Sequence, residues 1–188
     1  RGDGYNPGEI MSPAEAQAYH APQIDVFAGT GADMVTAMTI NNVNEGIGIA
    51  QAAKTAGIPS VIGFTLETDG HLPTSQSLAD AIAEVDAATD SAPVYYLINC
   101  AHTSHFMDKL NGDEGWMDRI GAIRANASRC SHAELDEAEE LDAGNPKELA
   151  ADYRTITDRF SQIKVLGGCC GTDHRHIVEI SAACKEAA

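Results

Sequence analysis

The sequence predicts an α/β protein built on a parallel sheet. Short runs rich in β-branched residues alternate with longer segments whose apolar residues recur at helical spacing. Capping residues, glycines and prolines separate these segments, as they do in βαβ units. Five strands are predicted, near Asp33, Ser60, Val94, Ile120 and Ile163. A closed (β/α)8 barrel typically needs eight strands and about 250 residues, so the pattern alone is also compatible with an open α/β sheet.

The first predicted helix begins after Ser12, because Ser12-Pro13-Ala14-Glu15 combines a capping residue, a proline in the first turn and a glutamate that completes a capping box. It should end near Ala28, with a kink at Pro22. Its expected buried face consists of Tyr19, Gln23, Val26 and Phe27. A strand at 33–40 follows.

Two further helices are predicted in the first half of the chain. Asn41 or Asn42 should cap the first of them, which Gly57 ends. A strand at 60–65 separates it from the second. That second helix is the most clearly amphipathic, with an apolar face of Leu78, Ala81, Ile82 and Val85.

The second half of the chain continues the alternation. Strands are predicted at 94–100, 120–127 and 163–166, with a short helix near Phe106. The acidic segment 132–142 is equally compatible with a solvated helix and a loop. A helix capped by Asn145 should bury Leu149, Tyr153, Ile156 and Phe160. The last helix, capped by Thr172 or Asp173, should bury Ile177, Ile180 and Cys184.

Cysteines follow two of the predicted strands. Asn99-Cys100 ends one strand, and Gly167-Gly168-Cys169-Cys170-Gly171-Thr172 follows another. Adjacent side chains on an extended backbone point to opposite faces, so Cys169 and Cys170 can meet one ion only where the glycines let the backbone turn. The three thiolates would form a zinc site whose fourth position stays open, as in catalytic sites. The alternative is a pair of small buried residues in a glycine-rich turn.

Asn99-Cys100 together with the Gly-Gly-Cys-Cys-Gly-Thr block resembles the zinc-dependent homocysteine S-methyltransferases. These include betaine-, S-methylmethionine- and cobalamin-dependent enzymes, and the resemblance runs from Arg1 to about Ala183. It implies that residues 1–188 form a single domain, the C-terminal five strands of a (β/α)8 TIM barrel, with three strands preceding them. It also implies a Zn²⁺ cofactor on Cys100, Cys169 and Cys170, and methyl transfer from one of these donors or S-adenosylmethionine to homocysteine or a related thiol.

The resemblance also indicates substrate-binding positions. The family commonly has Glu-Thr at the end of the first strand, with the glutamate on the homocysteine amino group, whereas this chain has Met38-Thr39. Asn99 and Asn126 end strands at the same predicted edge of the sheet, and each is compatible with substrate binding or with local backbone hydrogen bonds. The family's Pro-Asn is Ala125-Asn126 here. The acceptor thiol is therefore expected to differ from homocysteine or to be held by another acid.

The remaining histidines and cysteines have simpler expectations. His102 and His105 lie beside Cys100, and we expect them to face substrate or cap a loop rather than to bind the metal. Cys184 is expected in the core, and Cys130 has no assigned role. Five cysteines without a disulfide-scaffold spacing favour reduced thiols.

The composition excludes several kinds of partner. Twelve basic against 28 acidic residues give a net charge of −16, which repels nucleic acid and anionic lipid. No apolar run reaches the roughly 18 residues of a membrane helix, so a cytoplasmic protein with small-molecule partners is expected. The chain begins in a loop, and we expect either missing N-terminal strands or self-association to cover its sheet edges. Metal storage or thiol redox without methyl transfer, and a non-catalytic assembly role, are the competing functions.

Overall fold

The computed structural model describes residues 4–110 and 115–185. Helices and strands alternate along the described chain. The helices are α1 (Pro13–Ala28), α2 (Val43–Ala56), α3 (Leu78–Thr89), α4 (Thr103–Phe106), α5 (His132–Glu137), α6 (Pro146–Arg159) and α7 (His174–Cys184). The strands are β1 (Val35–Ile40), β2 (Ser60–Phe64), β3 (Tyr95–Asn99), β4 (Ile120–Ala125) and β5 (Val165–Gly168). Within these residues, every helix falls short of the length and apolar character that a membrane crossing needs.

The five strands form one sheet in the order β1-β2-β3-β4-β5. Hydrogen-bonded register shows β1 parallel to β2 and β4 parallel to β5. Each connection between successive strands contains helix, as parallel neighbours require. The predicted α/β class is therefore confirmed, with its strands in the sequential order of consecutive barrel strands.

The chain folds as two compact units. The amino-terminal unit comprises Arg1–Thr65 and His71–Leu97, and the carboxy-terminal unit comprises Leu66–Gly70 and Ile98–Ala188. In the amino-terminal unit, β2 is buried along its whole length. The predicted apolar face of α3 is confirmed, since all of its residues are buried: Leu78, Ala81, Ile82 and Val85.

The predicted buried face of α1 is wrong. Its buried residues are Ala16 and Ile24, whereas the predicted set is exposed: Tyr19, Gln23, Val26 and Phe27. The cause is a close approach of two helices, because a Cβ added to Gly48 of α2 would lie 2.5 Å from the Cβ of Ala16. Small residues at the contact set which face of α1 is covered. The predicted start at the Ser12 capping box is confirmed.

Two other helices have the predicted caps. Asn42 rather than Asn41 caps α2, its side-chain oxygen accepting the Glu45 N–H at 2.9 Å. Gly57 ends α2 in the left-handed region with φ 71°. In the carboxy-terminal unit, Asn145 caps α6, and the predicted inward residues of α6 are buried: Leu149, Tyr153, Ile156 and Phe160.

The last strand and helix depart from prediction. β5 begins at Val165 and continues through Gly168, because Gly167 and Gly168 pair with Arg124 and Ala125 in the parallel ladder. In α7, Ile180 is buried as predicted, but Cys184 is only half-buried and Ile177 is 46% exposed.

The buried face of α7 is set by a histidine instead. His176 is fully buried, accepts the N–H of Asp173 at 3.1 Å through Nδ1 and donates from Nε2 to the Ala143 carbonyl at 2.8 Å. Asp173, one of the two predicted caps, is the N-cap of this helix. In the acidic segment, α5 covers His132–Glu137 and the chain is not helical from 138 to 142, so both expected forms occur.

Candidate metal centre

Three cysteines of the carboxy-terminal unit lie together. The sulfur atoms of Cys100, Cys169 and Cys170 all lie within 4.8 Å of one another. Cys100 is buried, Cys169 is partly buried and Cys170 is exposed, so the cluster has an open side. Within 4–110 and 115–185, no other set of three or more histidine, cysteine or acidic side chains is grouped closely enough to hold a metal ion.

Cys100 leaves β3 through an unusual backbone conformation. Its φ is +54°, in the left-handed region that residues with a Cβ seldom adopt. The N–H of Cys100 donates to the carbonyl of Arg124 at 3.2 Å, which ties the turned residue to β4. Backbone strain of this kind persists only where the surrounding structure enforces it, and it is concentrated at functional sites.

The Cys169-Cys170 turn is also fixed from β4. The N–H of Cys169 donates to the Ala125 carbonyl at 2.9 Å, and the N–H of Cys170 donates to the side-chain oxygen of Asn126 at 3.1 Å. The cysteine N–H groups are thus held by three successive residues of the chain, Arg124, Ala125 and Asn126.

Glycines and a threonine complete this turn. Gly171 has φ 77°, which lets the chain reverse after Cys170. The Thr172 hydroxyl donates to the Cys169 carbonyl at 2.6 Å. A Cβ on Gly168 would overlap that hydroxyl, so a side chain there would displace it.

Tyr153 of α6 links the two strands that carry this turn. Its buried hydroxyl accepts the Ala125 N–H at 2.8 Å and donates to the Gly167 carbonyl at 2.7 Å. Burial raises the pKa of this phenol, so it stays protonated and can donate. The sequence predicts that Tyr153 is buried, but it does not show what its hydroxyl contacts. The one signal is that an inward position carries tyrosine and not phenylalanine.

The electrostatics of the cluster suit a cation. The pKa of the Cys169 thiol is raised, first by its hydrogen bond with Cys100 and then by burial and by the neighbouring sulfurs. A divalent cation reverses this, because an opposite charge at the thiols favours their ionised form. Thiolate ligands suit zinc. Tetrahedral zinc with a metal–sulfur distance of about 2.3 Å places its sulfurs about 3.8 Å apart, which is compatible with the observed limit of 4.8 Å.

The two neighbouring histidines have other partners. His102 caps α4, its Nδ1 accepting the Ser104 N–H at 3.1 Å. Burial first, and then the charge of Arg129, lower the pKa of His102 to about 4, so it is neutral at pH 7. His105 donates from Nε2 to the Arg129 carbonyl at 2.9 Å. Capping is one of the two roles expected for these histidines.

Arg124 has a second contact that sequence analysis missed. Besides accepting the Cys100 N–H with its carbonyl, Arg124 donates from Nε to the Gly168 carbonyl at 3.1 Å. The sequence marked this residue only as a charge within an otherwise apolar strand. Its partner depends on the register between β4 and β5, which no local pattern shows.

Asn99 and Thr39 both lie in strands, Asn99 fully buried and Thr39 in an unusual backbone conformation. Asn99 is the last residue of β3 and is fully buried. Thr39 has φ 58°, within a register shift between Ala37 and Ile40 of β1. A β-branched residue in the left-handed region is a genuine outlier.

Met38, in the amino-terminal unit, lines a cavity of about 250 Å³ between α1 and β1. Among the residues that the structure describes as lining it, none is an acid. His20, also in the lining, contacts the buried Glu45 of α2 at 2.9 Å. That hydrogen bond is the main reason that the pKa of Glu45 lies below its ordinary value.

A parallel α/β sheet with three thiols clustered where its strands end defines a class of protein, one whose cysteine cluster could hold a metal ion at the carboxyl ends of the strands. The comparisons with known proteins specify the family. The family model described as homocysteine S-methyltransferase matches residues 2–184, and the chain belongs to this family. None of the curated proteins compared with the chain matches it significantly.

Solved structures of the homocysteine methyltransferase MmuM from Escherichia coli have the same fold. The oxidised form has a TM-score of 0.73 and 23% identity, over 97% of this chain and 56% of that chain. The metallated form has a TM-score of 0.65 and 22% identity, over 96% and 55%. The apo form has a TM-score of 0.62 and 22% identity, over 94% and 59%. The chain therefore spans a little over half the length of these structures.

Proposed function

We propose that this protein is a zinc-dependent S-methyltransferase that moves a methyl group to a thiol acceptor, homocysteine or a related thiol. The observation that carries the proposal is the cluster of three cysteine sulfurs within 4.8 Å at the ends of β3 and β5, in a chain of the homocysteine S-methyltransferase family. Three protein ligands leave a fourth position for the acceptor, which is typical of catalytic zinc.

In this proposal Cys100, Cys169 and Cys170 hold Zn²⁺. When bound, the metal lowers the pKa of an acceptor thiol so that the reactive thiolate exists at neutral pH. The protein's own contribution is positioning: the end of β4 holds the backbone N–H of each cysteine. Ligands held in this way would keep an acceptor sulfur in one place, where it could meet the methyl carbon in line with the leaving group.

Four other residues are proposed to bind substrate, two in each unit of the chain. Asn126 accepts the Cys170 N–H through its side-chain oxygen, and its amide nitrogen remains for a substrate acceptor group. Asn99 precedes Cys100, and the strained backbone of Thr39 is typical of ligand-binding positions. Met38 stands where the family commonly has glutamate, so the amino group of the acceptor lacks that partner. The methyl donor is a small molecule: betaine, S-methylmethionine, S-adenosylmethionine or a cobalamin.

The test is methyl transfer by the purified protein. Zinc content is measured first, and homocysteine is then supplied with each donor in turn, with methionine quantified by mass spectrometry. We expect methionine with one donor, loss of product on chelation and its return with Zn²⁺. Cys130→Ser serves as the control, because Cys130 lies outside the sulfur cluster.

One outcome would favour the competing function. If the protein binds zinc through the three cysteines and yet forms no methylated product with any donor or with other thiol acceptors, it is a metal-binding or thiol-redox protein on the same fold. The exposed Cys170 thiol would then be the reactive group.

A further inference from the structure

Arg124 is directed toward the cysteine turn. Its register partner in β5 is Gly167, but its Nε donates to the carbonyl of Gly168, one residue further along that strand, at 3.1 Å. The Arg124 side chain therefore leans toward the carboxyl end of the sheet. The Gly168 carbonyl belongs to the peptide bond that joins Gly168 to Cys169, so Arg124 contacts the residue directly before the cysteine pair.

Gly167 makes room for this arrangement. A Cβ at Gly167 would lie 3.3 Å from Cγ and 3.4 Å from Nε of Arg124, tighter than an ordinary contact. The arginine side chain thus lies across the strand where a side chain is missing. A side chain at position 167 would therefore displace the stem of Arg124.

The Arg124 guanidinium has N–H donors that the contact with Gly168 does not use. Arginine carries five N–H donors, and the Nε contact with Gly168 uses one of them. None of the ion pairs among the described residues involves Arg124, and its side chain is exposed. The planar fork of the terminal nitrogens matches a carboxylate in a bidentate pair.

We infer that Arg124 binds the carboxylate of the acceptor thiol. This inference rests on the proposed function and specifies its substrate class: a thiol carrying a carboxylate a few carbons from the sulfur, as in homocysteine, where three carbons separate the two groups. The sulfur is held at the metal centre, and the carboxylate is held by the arginine beside it.

The assignment predicts a distinct preference among acceptors. A thiol that keeps the carboxylate but lacks the amino group, 4-mercaptobutanoate, should bind nearly as well as homocysteine. A thiol that keeps the amino group but lacks the carboxylate, 3-aminopropane-1-thiol, should bind much more weakly. The charge of Arg124 is the reason, because it attracts the first compound and repels the ammonium of the second.

The test measures equilibrium binding and needs no methyl donor. The protein is loaded with Co²⁺, and the change in its thiolate-to-metal absorption gives the Kd of each thiol. We expect Arg124→Gln to raise the Kd of homocysteine and of 4-mercaptobutanoate about 100-fold, as for a broken charged pair. The same substitution should change the Kd of 3-aminopropane-1-thiol less than threefold. Arg124→Lys should restore part of the loss, and the exposed Arg154→Gln of α6 should change none of these values.

Three results would overturn the inference, and they differ from a failure of the proposed function. If Arg124→Gln raised the Kd of all three thiols equally, Arg124 would only support the cysteine turn. Unchanged binding would show that the carboxylate lies elsewhere. If none of the thiols alters the cobalt spectrum of the parent protein, both proposals fail. If the thiols bind as expected but no donor yields product, the carboxylate site stands and only methyl transfer is refuted.

Discussion

At the scale of single residues, three successive residues at the end of β4 and just after it hold the cysteine cluster in place. Arg124 and Ala125 hold Cys100 and Cys169 through backbone carbonyls, which no side-chain substitution removes. Asn126 holds Cys170 through its side chain. Of the three contacts, the one from Asn126 can therefore be deleted without altering the main chain.

Asn126→Ala should lower zinc affinity about 10- to 100-fold, the usual effect of losing a group that orients a metal ligand. The reason is that Cys170 loses the acceptor that fixes its N–H. Chelator competition measures the affinity. Asn145→Ala is a matched control, since its side chain also accepts backbone N–H groups but caps α6. Equal zinc affinity in Asn126→Ala and the parent would show that the Cys170 turn holds its shape alone.

Sequence reasoning was able to identify the three cysteines because each follows a predicted strand, and parallel strands end at one edge. It could not identify the contacts of Arg124 and Tyr153, because these depend on which residues of β4 and β5 stand side by side. Their partners lie 44 and 28 residues away along the chain. Register between distant strands is set by the packed sheet and leaves no local pattern.

At the scale of elements, the contact between α1 and α2 depends on Gly48. A glycine inside a helix normally costs about 1 kcal/mol relative to alanine, so Gly48→Ala would stabilise an isolated helix. Here the new Cβ would lie 2.5 Å from that of Ala16. We expect a net destabilisation of about 1–3 kcal/mol, typical of overpacking, measured by urea unfolding.

Gly31→Ala is the control for that substitution, because nothing lies within 4 Å of its added Cβ. It should change the free energy of unfolding by less than about 0.5 kcal/mol. A stabilised Gly48→Ala variant would mean that α1 and α2 can separate at little cost.

The contact between His20 in α1 and Glu45 in α2 predicts that the free energy of unfolding depends on pH. The pKa of Glu45 lies below its ordinary 4.5 in the folded protein, so the folded state binds fewer protons than the unfolded state. The ionised Glu45 carboxylate therefore stabilises the folded protein above the pKa that Glu45 has in the unfolded state. This stabilisation is lost as the pH falls through the pKa of Glu45 in the folded state. Glu45→Gln should cost about 1–2 kcal/mol at pH 7, and the difference from the parent should shrink below pH 4.5.

Urea unfolding of both proteins at pH 7 and pH 3.5 measures that difference. Asp25→Asn, on the exposed surface of α1, should change neither value by more than about 0.5 kcal/mol. If the difference between parent and Glu45→Gln is the same at both pH values, the hydrogen bond to His20 does not depend on the Glu45 charge.

Elements were predicted well where local chemistry determines them. The capping residues Ser12, Asn42 and Asn145 begin helices as expected, because a cap acts within a few residues. The buried face of α1 was wrong because its helical periodicity says nothing about a small-residue contact with Gly48. The bounds of β5 were wrong because glycines that look like a turn are held extended by β4.

At the scale of the whole molecule, β1 and β5 are the edge strands of the sheet, and large apolar side chains are exposed on two helices. Val178 of α7, which packs against β5, is 62% exposed, and Val26 of α1 is 66% exposed. Exposed apolar patches beside unpaired strands favour association. We expect the chain to self-associate with rising concentration, measured by sedimentation, despite a net charge of −16.

The substitutions Val178→Lys and Val26→Lys should each shift that association to higher protein concentration. Leu141→Lys, at an exposed position of the acidic segment, is the control and should have a smaller effect. A monodisperse monomer across the concentration range would contradict the expectation.

The most direct test of the proposed metal centre is zinc content in single cysteine variants. Thiolate ligands bind zinc strongly near neutral pH, so the parent should carry about one zinc per chain. Cys100→Ser, Cys169→Ser and Cys170→Ser should each lose most of it, while Cys130→Ser and Cys184→Ser, outside the cluster, should keep it. If all three cluster variants retain as much zinc as the parent, these cysteines do not bind the metal and the account of the site is wrong.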